Sequence, residues 1–127
     1  MADPDATMTR LALADDSGRA KVLVKAPPGG PVSSALGIGF GATRALADGV
    51  LAIGSGVGEW LLLGPPGTAD ELLERWQAEP DDGLVTVLDA TAGRTVLRMT
   101  GSGGGSVLAK VCGVDMACAP DGTAVRT

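Results

Sequence analysis

LVTVLDATAGRTVLRMTGSGGGSVLAKVCGVD, residues 84–115, is the stretch that says most about the fold of this 127-residue chain. Two aliphatic and β-branched runs, around Val87 and Val96, are typical of strands. The segment 89–93 between them is turn-like, since Gly93 is free to adopt positive φ. After Gly101, apolar residues recur on one face of a helix. The stretch therefore predicts a strand, a hairpin-like turn, a second strand and a helix.

Composition narrows the class of protein. A hydrophobic content of 45% with 20% charged residues argues against intrinsic disorder. The net charge of -5 argues against nucleic-acid binding, because no basic patch could neutralise phosphates. No apolar run reaches the ~20 residues of a membrane helix, and the first ten residues lack the apolar region of a signal peptide. We therefore expect a cytoplasmic protein.

The residues that the chain lacks limit its chemistry. Histidine and tyrosine are both absent, which removes histidine-based catalytic triads and His-containing zinc sites. Cys112 and Cys118 are the only thiols, and a disulfide between them is compatible with their spacing but would be reduced in the cytosol. Cys112 is expected to be a small buried residue on a helix face. The sequence thus predicts no catalytic, cofactor-binding or metal-binding residue.

The first half of the chain predicts a hairpin, a short helix and two further strands. The runs 10–14 and 21–25 flank a polar turn and are expected to form a hairpin. After the break at 26–31, Pro31 begins a short helix. The runs 50–53 and 59–63 are predicted strands, and because the second is apolar on both faces we expect it to be central in a sheet.

A helix is predicted from Thr68 to the residue before Pro80. Thr68 and Glu71 fit a capping box, and Glu71 and Arg75 are spaced for an i,i+4 ion pair. Trp76 falls on the apolar face of this helix, where packing in the core or at an interface is expected.

Glycine-rich segments invite a nucleotide-binding interpretation. Residues 37–42 fit G-x-G-x-x-A, but neither a convincing strand before them nor a separate acidic residue about twenty positions later is present. A glycine-rich bend is the favoured prediction. The run 103–105 opens the second predicted helix, which should be irregular there. That end could attract an anion, but the lysine of a P-loop is missing.

Three blocks of the sequence carry a resemblance to a known family. Residues 89–101 (DATAGRTVLRMTG), residues 107–116 (VLAKVCGVDM) and residues 58–63 (GEWLLL) stand in that family's order and spacing. On these residues the chain resembles the gamma subunit of heterotetrameric sarcosine oxidase. Ser102 and the glycine run after it depart from the family pattern, which has a proline in this region.

The resemblance implies a fold and a set of partners. The alternation of strand runs and helices predicts a single α+β domain at residues 10–127, after a flexible terminus at 1–9, and the resemblance implies a consistent fold. An antiparallel or mixed sheet would carry two or three helices, as in the first portion of the folate-binding aminomethyltransferase fold. FAD, FMN, NAD and tetrahydrofolate would be bound by larger flavoprotein subunits and not by this chain. Since the family continues past Thr127, we expect a natural short form, a truncation or completion by a partner, with an edge strand at 123–125.

The favoured function is therefore a non-catalytic accessory subunit of a sarcosine-oxidase-like, flavin-dependent N-methyl amine oxidoreductase. A small folate-binding, one-carbon transfer protein and a stand-alone ligand-binding domain are the alternatives. Asp89 and Arg94 flank their turn, near enough in sequence to meet across it, and are expected to hold the turn or to contact a partner, with no part in bond-making. The residues expected to serve structure or an interface are Glu59, Trp60, Trp76, Asp89 and Arg94.

Overall fold

A computed structural model describes residues 11–79, 83–116 and 118–126. It shows an α+β fold with antiparallel sheets and three helices, which confirms the predicted fold class. The expected flexible terminus at residues 1–9 lies outside the described residues. Within those residues the strands are β1 (Ala12–Asp15), β2 (Ala20–Lys25), β3 (Thr43–Ala45), β4 (Leu51–Gly56), β5 (Glu59–Gly64), β6 (Thr86–Asp89) and β7 (Leu97–Thr100), and the helices are α1 (Pro31–Leu36), α2 (Ala69–Gln77) and α3 (Gly104–Leu108).

Five strands form the main sheet, in the order β3-β4-β5-β2-β6, and every neighbouring pair is antiparallel. β5 is the central strand, as its apolar composition on both faces predicts. Its side chains alternate along the strand: Trp60 and Leu62 are buried, whereas Leu61 and Leu63 are half-buried. The two faces of the sheet therefore have different surroundings.

One face of the main sheet, the inner face, is covered by α1 and α2. Gly64 lets α2 approach closely, because a Cβ there would lie 2.8 Å from Leu72 Cδ1. Burial of each large apolar side chain stabilises the fold by about 1.5–3 kcal/mol. The sheet contributes Val22, Val24, Ala52, Trp60 and Leu62 to this core, and the two helices contribute Val32, Leu36, Leu72 and Trp76.

The glycine-rich segment 37–42 is a bend that packs on the sheet, as predicted. Gly37 ends α1 in the left-handed region (φ 71°) and its N–H donates to Ser33 O at 2.9 Å. The bend then crosses β4 at Gly54, where a Cβ would overlap the carbonyl of Gly39. Gly54 O accepts from the Gly41 N–H at 2.9 Å. Positive φ accounts for Gly37 and Gly41, and close backbone approach accounts for Gly54.

The remaining strands, β1 and β7, form a separate two-stranded ribbon. The predicted hairpin between runs 10–14 and 21–25 is therefore wrong, because β1 pairs with β7 while β2 pairs with β5 and β6. The predicted hairpin between β6 and β7 is wrong for the same reason. In both places the chain leaves one sheet for the other within the turn. Gly93 also does not adopt positive φ.

The start of α2 differs from the predicted capping box. Thr68 is the N-cap residue, but its hydroxyl donates to Pro65 O at 2.7 Å and makes no cap hydrogen bond. Arg75 pairs with Glu79 at 2.7 Å, one turn later than the predicted pair with Glu71. The helix ends at Gln77, before Pro80 as predicted, and Pro80 itself lies outside the described residues.

The C-terminal segment lies against the end of β3. The Thr43 N–H donates to Gly122 O and the Ala124 N–H to Gly41 O, both at 2.8 Å. Only Ala42 and Thr123 form a β-bridge, so the strand predicted at 123–125 is reduced to that bridge. Within this stretch the Ala124 N–H is satisfied by Gly41 O, just before β3. The described part of the chain contains no helix long and apolar enough to cross a membrane.

Candidate interaction surface

The outer face of the main sheet, opposite the helices, is apolar. Strand register places Leu23 opposite Leu88 and Leu61, and Leu61 opposite Ile53. Leu63 and Leu51 form the next row. Side chains of directly opposed residues lie on the same face and contact each other. Leu88 is 52% exposed and the others are half-buried. The outer face is thus defined by Leu23, Leu51, Ile53, Leu61, Leu63 and Leu88.

Glu59 forms a charged border at one end of this face. Its carboxylate lies 2.6 Å from Arg126 Nη1 and 3.7 Å from Lys25 Nζ, and Ser55 Oγ donates to it at 3.4 Å. Lys25 is its cross-strand partner, which explains why two charges meet here. The expectation that Glu59 is a structural or interface residue fits this arrangement.

Lys21 lies at the other end of the outer face, opposite Leu63. Its side chain is fully buried, although lysine is seldom buried without a paired acid. Its Nζ donates to Ser17 O at 2.6 Å and to Thr91 O at 2.9 Å. These two carbonyls belong to the two turns at which the chain passes between the sheets. Lys21 therefore fixes both crossings, and sequence analysis did not single it out.

Each of those turns is organised by an aspartate. Asp15 Oδ1 accepts from the Ser17 N–H, and Asp89 Oδ1 accepts from the Thr91 N–H, both at 2.9 Å. Hydrogen bonds from the Ser17 hydroxyl and backbone lower the pKa of Asp15, and those from Thr91 do the same for the pKa of Asp89. The positive charge of Lys21 acts in the same direction.

Arg94 does not meet Asp89, so the expectation that the two hold this turn together is wrong, and a partner contact of Arg94 stays a prediction. The Asp89 carboxylate is engaged by Thr91, and Arg94 is exposed, with no ion pair to any of the described residues. The ribbon that follows also exposes apolar side chains, namely Leu13 (59%) and Leu97 (60%). This ribbon is a second apolar surface beside the outer face.

The two tryptophans have different roles in the structure. Trp60 is buried in β5 and its indole N–H donates to Ile38 O at 2.9 Å, which ties the bend after α1 to the sheet. Trp76 is buried on α2, and the Arg75 guanidinium lies 4.5 Å from the centre of its ring. Both belong to the inner core. Neither therefore lies on the outer face, and the five candidate residues are not gathered into one site.

The cysteines provide no metal site. Among residues 11–79, 83–116 and 118–126, no group of three His, Cys, Asp or Glu residues could hold a metal ion. Cys112 lies beyond the end of α3 and is only half-buried, so its expected place on a buried helix face is wrong. Interaction with the Asp115 carboxylate raises the pKa of Cys118, which disfavours the reactive thiolate.

One signal in the sequence could have identified the outer face. In 21–25 and 59–63, residues of one parity are buried under the helices, while the other parity carries Leu23, Leu61 and Leu63 besides the charged Lys21, Lys25 and Glu59. A half-solvated antiparallel sheet normally carries polar residues at such positions. The aliphatic side chains at these positions therefore already pointed to a covered surface.

Comparisons with known proteins agree with the resemblance at the level of structure. No protein-family model matches the sequence, and no curated protein matches it. A solved structure does match: a chain of the heterotetrameric sarcosine oxidase from Corynebacterium sp. U-96 in complex with pyrrole 2-carboxylate. The match has a TM-score of 0.69 and 27% sequence identity, and covers 84% of this chain and 57% of that one. This protein is thus similar in fold to a sarcosine oxidase chain and spans little more than half of that chain's length.

Proposed function

We propose that this chain is a non-catalytic accessory subunit, of the gamma type, in a heteromeric flavin-dependent oxidoreductase acting on N-methyl amines. The observation that carries the proposal is the aliphatic outer face, on a fold similar to a chain of a heterotetrameric enzyme. The larger partner subunits would bind FAD, FMN, NAD and tetrahydrofolate.

The outer face has the composition of the centre of a protein interface. Contiguous apolar surface of this kind marks interaction sites, and interface centres are depleted in charge while their rims are polar. Leu23, Leu61 and Ile53 form one uninterrupted cross-strand row. Glu59 and Lys25 form the next cross-strand row, joined by Arg126, at the end of the outer face where a rim would be. A larger subunit would cover the row and leave these charges at the edge.

Assembly is tested by co-expression with candidate large flavoprotein subunits of a sarcosine-oxidase-like enzyme. We expect the chain to co-purify in a stoichiometric complex that buries more than ~1,000 Å² in total at its interface. Leu61→Glu places a charge in the centre of the outer face and should prevent assembly. Leu84→Glu, at a position 92% exposed and outside that face, is the matched control and should assemble normally.

The melting temperature of the variant distinguishes a defect in assembly from a defect in folding, and turnover by the isolated chain tests the non-catalytic role. Leu61 is half-buried, so the melting temperature of the Leu61→Glu chain should stay close to that of the parent. The purified chain alone should demethylate no N-methyl amine and transfer no one-carbon unit. Measurable turnover by the chain alone would favour the aminomethyltransferase alternative, and equal assembly by both variants would remove the outer face as the docking surface.

A further inference from the structure

A cavity of about 400 Å³ lies on the helix side of the main sheet, between α1, the turn Ala47–Gly49 and α2. It is separate from the outer face and serves none of the roles proposed above. Its apolar lining comes mainly from Leu46, Val50, Leu72 and Trp76. Ligand sites of small molecules have this size, with an apolar lining and a few polar groups.

The charged groups of the cavity are predominantly acidic. Asp48 and Glu71 both line it. Arg75 lines it as well, but its guanidinium is already paired with Glu79 at 2.7 Å and stacked on the Trp76 ring at 4.5 Å. The positive charge of Arg75 is therefore largely offset by Glu79, and the carboxylates of Asp48 and Glu71 are left to act on a ligand.

The turn Ala47–Gly49 places Asp48 at the wall of the cavity. At φ 61° and ψ 31° Asp48 is the only non-glycine residue with positive φ in the described part of the chain. Aspartate is one of the few L-residues that adopt this left-handed conformation in turns, although glycine adopts it more readily. The turn therefore holds Asp48 in this position at the cavity.

We propose that this cavity binds a small ligand with an apolar body and a single cationic nitrogen, that is, an alkylammonium or arylalkylammonium ion. The apolar body packs against Leu72 and Trp76, and the cation lies between the carboxylates of Asp48 and Glu71. Burial of the body supplies affinity at roughly 25 cal/mol per Å² of apolar surface. The carboxylates supply selectivity for positive charge over neutral or anionic analogues.

The two tryptophans allow a direct binding test on the full chain. Fluorotryptophan labelling gives two fluorine NMR signals, which the variant Trp76→Phe assigns. Hexylammonium at millimolar concentration should shift the Trp76 signal in a saturable way and leave the Trp60 signal in place. Hexanol and hexanoate match its chain length and carry no positive charge, so they should bind at least about fivefold more weakly.

Variants test the two carboxylates. Asp48→Gly relieves the positive-φ conformation, so it should keep or raise the melting temperature while weakening hexylammonium binding about three- to tenfold. Glu71→Gln should weaken it similarly. Asp70→Asn, on α2 but outside the cavity lining, is the matched control and should leave binding unchanged. Equal binding of hexanol, equal shifts of both tryptophans, equal weakening by Asp70→Asn, or no shift at all would each overturn the proposal.

Discussion

Arg126 Nη1 lies 2.6 Å from Glu59 Oε2, which joins two residues 67 positions apart in the chain. This contact connects the C-terminal segment to the first residue of the central strand β5. The same segment is held at its other end by backbone hydrogen bonds with Gly41 and Thr43. The segment thus runs across the end of the main sheet and meets the charged border of the outer face.

The Glu59–Arg126 pair should contribute only modestly to stability. The Arg126 side chain is 61% exposed, and ion pairs this open to solvent contribute about 0.2–1 kcal/mol. A double-mutant cycle with Glu59→Gln and Arg126→Gln, measured by denaturant unfolding, should give a coupling energy in that range which falls as salt is added. A coupling of several kcal/mol, or one insensitive to salt, would contradict this view.

Local patterns in the sequence predicted most elements but not which strands pair. The central position of β5 could be predicted because both of its faces are apolar, which is a local property. The pairing of β1 with β7 could not, because the short polar turn after Asp15 is compatible with a hairpin to β2. The choice of partner strand for β1 depends on contacts between residues distant in the chain, such as the hydrogen bond from Asp16 N to Val96 O at 2.8 Å.

The two mistaken hairpins have a common physical origin. The segments 15–17 and 89–91 both form aspartate turns, and both turn carbonyls are bound by the single ammonium group of Lys21. Lys21 thereby fixes both points at which the chain passes from one sheet to the other. With these points fixed, β1 pairs with β7, and β2 pairs with β5 and β6. Sequence spacing likewise suggested that Asp89 would meet Arg94, but a nearer donor, the Thr91 N–H, takes its carboxylate.

Removal of the Lys21 ammonium should destabilise the fold. Lys21→Met keeps the aliphatic stem but leaves Ser17 O and Thr91 O without their donor, a loss of about 1–3 kcal/mol for a buried polar group. Urea unfolding should show this as a lower midpoint at unchanged slope. Lys25→Met, four residues further along β2 on the same face and largely exposed, is the control and should cost less than about 1 kcal/mol. Equal effects of the two substitutions would rule out a special role for Lys21.

Substitution of Arg94 should affect assembly and not folding. Because Arg94 is exposed and has no ion pair among the described residues, Arg94→Ala should change the stability of the isolated chain by less than about 0.5 kcal/mol. If Arg94 contacts a partner subunit, the variant should assemble more weakly, while the turnover per assembled complex stays the same. A fall in turnover within fully assembled complex would show that the non-catalytic assignment is wrong.

The aspartate turns predict how stability responds to acid. The pKa values of Asp15 and Asp89 are lowered in the folded state, so the unfolded chain takes up protons first. Their contribution is therefore full above the unfolded-state pKa of about 3.9 and is lost as the pH falls through the lower folded-state pKa. Asp89→Asn keeps an oxygen for the turn but does not titrate. Its melting temperature should decline less than the parent's below about pH 4, and an identical decline would contradict the assignment.

The isolated chain should self-associate through its outer face. Leu23, Leu61 and Leu63 are half-buried and Leu88 is 52% exposed, and no helix in the described part of the chain packs on this face. A surface of this kind drives association in water. Sedimentation should therefore show concentration-dependent oligomers or aggregates, Leu61→Glu should restore a monomer, and Leu84→Glu should not. Co-expression with the flavoprotein subunits should raise the melting temperature, because a partner that binds only the folded chain stabilises it by mass action. A parent chain that stays monomeric at high concentration and melts sharply without a partner would support the stand-alone binding domain instead.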